Sequence, residues 1–506
     1  MLATLAAVAL ITGVALAGVA LAGLVNPAHR DSAERAYTIN VPAYNPGARR
    51  MRANAHPHAH PSAKAHSSPG NAADAVLAQA KTARAVDNPK GGAQNVGGKP
   101  LTAAAGAQLN GASEWIPYWA VNSAVASATQ NASQVKVAHP FWYQVDDSGK
   151  LEDQSGGQDG WAVNKLGQSH ITVIPTVTEK LGMNDFAKLL GDKKKRGALV
   201  NQLAALGTQR GYAGIDLDFE NIALGDRAQH GSAADAKGYP QFVNDLCQRL
   251  RAKGASCEVT VIAKNNAGQV GGGGLDTRVY DYAALAKAAD RVQLMAYDDH
   301  YPGGSAGAIA PLPWVQSVLS YALSQVPASK LILGIPAYGY NWSTRGATGT
   351  LTSPAAEQLA SQVGAKVSWD ASQAEANFDY RTRVGTHTTT KTTTRRVKKR
   401  VKTTVKTTVK TKVTKKVKQK GKPDKTVTTV VPKTVTKPGT KVITVTQKVQ
   451  TKTNHPVFAQ HTVWFDNATA DYDRAVLAAN DHLAGVALWA AGDEDPSFWG
   501  MLSKLH

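Results

Sequence analysis

Eight short runs rich in β-branched and aromatic residues recur along the chain, at residues 115–119, 137–143, 171–177, 214–219, 258–263, 292–297, 331–337 and 486–490. Helix-like stretches separate most of them, among them 194–206, 239–251, 282–289, 312–323 and 469–482. Few folds accept this alternation. Strands joined by helical crossovers lie parallel, and eight of them are the arithmetic of an α/β protein of the (β/α)8 type, the TIM barrel. Residues 112–380 and 456–506 supply 320 residues for it, within the size range of that fold. A doubly wound open sheet is the alternative. It wants a glycine-rich phosphate turn after its first strand, and Pro117-Tyr118-Trp119 offers none.

The fourth run carries the chemistry. In Gly214-Ile-Asp-Leu-Asp-Phe-Glu-Asn221, the acids Asp216, Asp218 and Glu220 alternate with Ile215, Leu217 and Phe219. A period of two puts the acids on one strand face and the apolar residues on the other. Same-face neighbours lie roughly 6.5–7 Å apart, so three ionised carboxylates repel and one tends to keep a proton. A carboxylic acid held protonated beside ionised ones is what glycosidic cleavage requires. In a barrel the apolar face meets the helices and the acids enter the interior, with Glu220 at the catalytic, C-terminal end. An acidic, half-exposed strand is the bland alternative, but burying three acids for structure alone is costly.

The net charge is +20, yet residues 381–455 hold 23 Lys or Arg and one acid, Asp424, so the rest of the chain is close to neutral. This insert repeats Lys, Thr and Val, as in Val401-Lys-Thr-Thr-Val-Lys-Thr-Thr-Val-Lys410. No long apolar face is expected from it and its charges repel, so disorder is the default. A two-stranded ribbon is the alternative, because Val and Thr favour strands and Gly421-Lys-Pro-Asp424 sits near the middle. The flanking runs 378–380 and 462–465 read as paired strands of a small β insertion between barrel strands seven and eight. Twenty-two net positive charges in the insert imply a polyanionic partner. Acidic wall polymers and lipid headgroups fit residues 385–452 of an exported protein. A run without aromatics for base stacking argues against nucleic acid.

Residues 1–25 are almost wholly apolar and uncharged, long enough to span a bilayer and placed as an export signal or membrane anchor. Residues 26–111 lack periodicity and read as a flexible Ala/Gly/Pro/His-rich spacer. The His56, His58 and His60 cluster is read as incidental, with no metal and no cofactor expected. Cys247 and Cys257 are either one disulfide, in an exported protein, or two buried thiols.

The fourth run resembles the signature of glycoside hydrolase family 18, Asp-Gly-x-Asp-x-Asp-x-Glu, with Ala213 in place of the first acid. Met295-Ala-Tyr297-Asp298 resembles that family's sixth-strand motif, Gly334-Ile-Pro-Ala-Tyr338-Gly339 its seventh strand and Leu488-Trp489 its eighth. Finer features, such as Phe219-Glu-Asn221, Asp298-Asp-His300 and Glu494-Asp-Pro496, look like the bacterial spore-germination and cell-wall-acting members. The resemblance implies an exported glycosidase acting at N-acetylglucosamine in peptidoglycan, or secondarily in chitin-type oligomers, by substrate-assisted retaining catalysis. It implies Glu220 as general acid and base, Asp218 as orienter of the acetamido group, and Asp216 as its tuner. Tyr297 would donate to the acetamido oxygen, Asp298 would bind a sugar hydroxyl and Trp489 would floor the ring. Tyr118, Trp142 and Tyr338 are further expected substrate contacts. A family member that binds sugar without cutting it is the alternative function.

Overall fold

The computed structural model describes residues 98–209, 211–223, 232–267 and 276–505. The apolar run 1–25, most of the spacer and the histidine cluster lie outside them. Strands β1 (Ala112–Pro117), β2 (Val135–Val145), β3 (Thr176–Glu179), β4 (Gly214–Leu217), β5 (Ser256–Ile262), β6 (Arg291–Met295), β7 (Leu331–Pro336) and β8 (Gly485–Trp489) pair in parallel, each with the next. β1 also pairs with β8, which closes the sheet into a barrel. Each of the eight expected runs overlaps one of these strands. The third is interrupted at Pro175: Thr172–Val173 pairs with β2 before the proline, and β3 follows it.

Between strands and helices lies the main apolar layer. Ile215, Leu217 and Phe219 are fully buried in it, opposite Phe242, Val243, Leu246 and Leu250 of helix Ser232–Arg251. Burying a side chain of this size stabilises by about 1.5–3 kcal/mol, which holds β4 in the one register that turns its acids inward. Cys247 of that helix is disulfide-bonded to Cys257 of β5, so of the two expected states the structure holds the bridge. Helix starts follow local chemistry. Asp192 accepts from the Lys194 and Lys195 N–H groups, and Asn467 from Ala470, satisfying donors that a helix start leaves open.

The expected spacer ends earlier than residue 111. The Leu101 N–H donates to Asp473, Ala104 N–H to Asn480 and Leu109 N–H to the Leu505 carbonyl, and Leu109 is buried. Backbone donors with fixed partners and a buried leucine make this stretch part of the barrel's outer layer. Among the described residues no helix is long and apolar enough to cross a membrane.

Between β7 and β8 sits a small antiparallel sheet, ordered Gly349–Thr352, Tyr338–Ser343, Lys422–Phe465, Glu375–Gln419, Ser368–Asp370. Leu351, Phe378, Val463 and Phe465 pack under helix Ser353–Val363. Its two long strands run on, and residues 383–459 form a second compact unit. That unit is a two-stranded ribbon turning at Gly421, whose φ of 83° suits glycine. The default of disorder is thereby corrected. Thr388 bonds Asn454 and Thr414 bonds Thr428 across the pair, and alternation separates side chains that a linear reading crowds together.

Candidate active site

Each acid of β4 meets a different environment. Asp216 is fully buried and both its oxygens are occupied, one by the Thr176 hydroxyl at 2.7 Å, the other by Thr260 at 2.9 Å. These donors come from the strands on either side, so the barrel itself fixes this carboxylate. Asp218 is buried, and its Oδ1 has no hydrogen-bond partner among the described residues. Burial, and then the charge of Asp216, push its carboxyl well above the ordinary range. Glu220 lies three residues past the end of β4 and is partly exposed. Burial, followed by Asp218, Glu179 and Asp298, raises its pKa strongly. It therefore keeps its proton to higher pH than a free glutamic acid.

Glu179 is a residue the sequence reading missed. It ends β3, is fully buried, and accepts the Asn221 side-chain amide at 2.7 Å and the Ile222 N–H at 3.0 Å. It thereby fixes the two residues after Glu220. An acid at the C-terminal end of a barrel strand is itself a functional sign, and Thr176-Val-Thr-Glu179 carried it.

Past β6 the chain turns sharply. Asp298 takes a φ of 63°, a left-handed backbone uncommon for residues other than glycine. Its Oδ1 accepts from the Tyr338 hydroxyl at 2.6 Å and from Tyr340 at 2.9 Å. Burial lifts Asp298 to about 6, against the pull of the two phenols. Tyr338 was expected to touch substrate; at 3% exposed its hydroxyl is committed to Asp298. The Tyr297 phenol is pushed up by burial and by the neighbouring Asp218, Glu220 and Asp298. Tyr297 and its ring neighbour Tyr338 lie 6.3 Å apart between centroids.

Trp489 closes β8 inside an aromatic group, with Phe141 at 4.9 Å, Trp115 at 5.9 Å and Trp119 at 6.3 Å between ring centroids. Tyr118 lies at the rim, 36% exposed and edge-on to Trp119. Trp142 is placed otherwise than expected. It is fully buried in the layer between strands and helices, and its neighbour Phe141 is the residue that meets Trp489. Phe141 shares the inward face with His139, two residues before it, so the strand's own period of two turns Trp142 toward the helices. Trp115, Trp119 and Phe141 are thus aromatic neighbours the sequence reading did not name.

Deeper in the barrel, His139 and Glu258 approach within 3.8 Å. Burial lowers the histidine and raises the glutamate to about 8, so near neutral pH this is a contact of two uncharged groups. No group of three or more metal-ligating side chains occurs among the described residues.

The protein has curated relatives of partial length. It is 29% identical over 261 residues to the provisionally named sporulation-specific glycosylase YdhD of Bacillus subtilis, covering 49% of this chain and 57% of that one. It is 29% identical over 197 residues to the cortical fragment-lytic enzyme of the same organism, covering 38% and 43%. The chain thus spans about half the length of these two relatives. Among solved structures, a chitinase from Chromobacterium violaceum superposes with a TM-score of 0.56 at 22% identity, over 78% of this chain and 98% of that one, a likeness of fold. The sequence model of the glycosyl hydrolases family 18 matches residues 115–495. With a closed eight-stranded barrel and acids on its fourth strand, this chain belongs to glycosyl hydrolase family 18.

Proposed function

We propose that this chain is a glycosidase that cleaves β-1,4 bonds beside N-acetylglucosamine in a cell-wall polymer, peptidoglycan before chitin, with the substrate's own acetamido group as nucleophile. The observation that carries the reading is the contrast between Asp218 and Glu220. Two acids with raised pKa values stand two residues apart, one buried with an oxygen unbonded among the described residues, the other partly exposed. Glu220 protonates the glycosidic oxygen and later takes a proton from the incoming water. The acetamido carbonyl oxygen attacks the anomeric carbon as that bond breaks. Asp218 accepts the acetamido N–H and offsets the positive charge of the oxazolinium ring. Asp216, anchored by Thr176 and Thr260, sets the field at Asp218. Tyr297 donates to the acetamido oxygen, Asp298 binds a sugar hydroxyl and Trp489 underlies the ring.

The names of the two Bacillus relatives favour a wall polymer; the chitinase likeness keeps chitin-type oligomers as second choice. The Cys247–Cys257 bridge fits an oxidising compartment and hence export, consistent with the apolar run 1–25 as signal or anchor. The basic insert brings the enzyme to an anionic envelope polymer or lipid. Incubation of the protein with purified peptidoglycan and with chitin oligomers, scored by reducing ends and muropeptides, tests the reading. Glu220→Gln is expected to abolish turnover while sugar binding persists. Release from neither substrate would sink it, and equal rates in wild type and variant would move catalysis away from Glu220.

A further inference from the structure

The ribbon of residues 383–459 sorts its side chains by sequence parity. Thr388 meets Asn454, Thr389 meets His455 and Thr414 meets Thr428, so residues of like parity on the two strands share a face. Gly439 approaches Val405 and Thr403 in the same way. Of the thirteen even positions from 396 to 420, ten are Lys or Arg and three are Thr. On the return strand the even positions from 426 to 446 include seven threonines. The odd face carries Val401, Val405, Val409, Val413 and Val417, each 37–49% exposed, together with Val427 and Val431 of the return strand. A long valine row therefore exists, contrary to the sequence expectation; it lies opposite the cation row of 396–420 and shares its face with Lys415, Lys425, Lys433, Lys437 and Lys441.

We propose that the even face is a rail for one linear polyanion, a polyphosphodiester with one charge per short repeat, lying lengthwise along the lysines. This rests on the reading that the insert seeks an anionic partner, and names which one and by which face. Same-face residues repeat every ~6.5–7 Å, so the twelve steps from 396 to 420 span ~80 Å of single-file cations. Ammonium groups are compact point charges suited to phosphate oxygens, and the threonine hydroxyls across the ribbon add donors. A bilayer fits this pattern poorly. It would have to meet the dense cations and the valines from one side, while here the ten-cation row of 396–420 lies on the face opposite Val401–Val417. Residues 383–457 also hold no Phe, Tyr or Trp, the residues that seat proteins at a headgroup interface.

The test compares binding of the full chain to poly(glycerol phosphate) and to vesicles of phosphatidylglycerol with phosphatidylcholine, at matched phosphate and over a range of salt. The key variant exchanges neighbours without changing composition: Val401→Lys, Lys402→Val, Val405→Lys, Lys406→Val, Val409→Lys and Lys410→Val together. Wild type is expected to bind the polymer with an affinity that falls linearly in log–log against salt as counterions are released. The exchanged variant, at equal net charge, is expected to lose about tenfold or more in polymer affinity, roughly the 1.4 kcal/mol of a tenfold step. Equal affinity of wild type and variant would overturn the rail while leaving a general attraction to anions intact. Because the apolar run 1–25 is long enough to enter a bilayer by itself, lipid is scored through the variant: a larger drop in vesicle binding than in polymer binding would overturn the rail in favour of lipid. Hydrolysis of a short soluble oligosaccharide, measured in parallel, reports on the barrel alone, so failure of the glycosidase substrate reading is seen separately.

Discussion

Glu179 and Asn221 clasp each other across the mouths of two adjacent barrel strands, the asparagine amide donating to a fully buried carboxylate at 2.7 Å. The other Glu179 oxygen takes the Ile222 N–H at 3.0 Å. Glu220 stands immediately before this clasp, so Glu179 both anchors the acid's backbone and repels its ionised form.

Glu179→Gln separates these two effects. A carboxylate accepts at both oxygens, whereas a glutamine accepts at one and presents an NH2 at the other. One donor is then left unmatched, at about 1–3 kcal/mol of stability, visible as a lowered Tm. The lost charge removes one cause of the raised Glu220 pKa, so the basic limb of kcat/KM against pH is expected to move to lower pH. A lowered Tm with an unmoved limb would leave Glu179 a purely structural clasp.

Tyr338→Phe acts on Asp298 with the opposite sign. The phenol stabilises the ionised carboxylate and so pulls its pKa down from where burial puts it. Without it the value should climb above the wild-type figure of about 6. If an ionised Asp298 binds sugar, the acid limb of the pH profile moves up and KM at pH 6 rises. Unchanged limbs with an unchanged KM would remove Asp298 from the binding of substrate.

Much of this architecture is legible because it rests on short periods. The eight runs, the inward acids of β4 and the paired strands at 378–380 and 462–465 each follow from alternation within a few residues. Trp142 follows the same rule: with His139 and Phe141 on the inner face of β2, period two sends it outward, but which parity faces inward depends on the strands paired on either side. Glu179 escaped because its partners Asn221 and Ile222 are more than forty residues away. Weighing like charges along the chain favours disorder for the insert over the two-stranded ribbon that Val and Thr also allow. Alternation puts the valines of 401–417 on one face and most of the nearby lysines on the other, and so eases both the crowding and the lack of an apolar side.

Glu258 makes stability itself pH-dependent. Its folded pKa of about 8 exceeds the ordinary glutamate value near 4.3, so the folded state binds the proton more tightly. The linked stabilisation is complete below about 4.3 and is lost as pH rises through about 8. Glu258→Gln stays neutral throughout, and its Tm should fall less between pH 5 and pH 8 than that of wild type. Parallel Tm curves for the two proteins would place the raised pKa elsewhere.

The bridge between Cys247 and Cys257 closes a loop of sequence separation 10, for which chain entropy gives about 2–3 kcal/mol of stabilisation. Reductant should therefore lower the Tm of the folded protein. Cys247→Ala with Cys257→Ala should lower it equally and be insensitive to reductant. A wild-type Tm indifferent to reductant would show that the bridge contributes nothing to stability.

The aromatic group at β8 distinguishes the two faces of β2 by experiment. Phe141 lies edge-on to Trp489 at 4.9 Å between centroids, while Trp142 points into the layer against the helices. Trp489→Ala should raise KM for short oligosaccharides most, because the ring proposed to carry the sugar is gone. Phe141→Ala leaves that ring but removes an edge contact worth about 0.5–1.5 kcal/mol, so KM should rise by up to about tenfold with little change in Tm. Trp142→Ala should do the reverse. Emptying a fully buried site costs about 3–5 kcal/mol, so Tm falls steeply while KM per folded molecule stays put. A Trp142 variant with normal Tm and raised KM would return that residue to the substrate side.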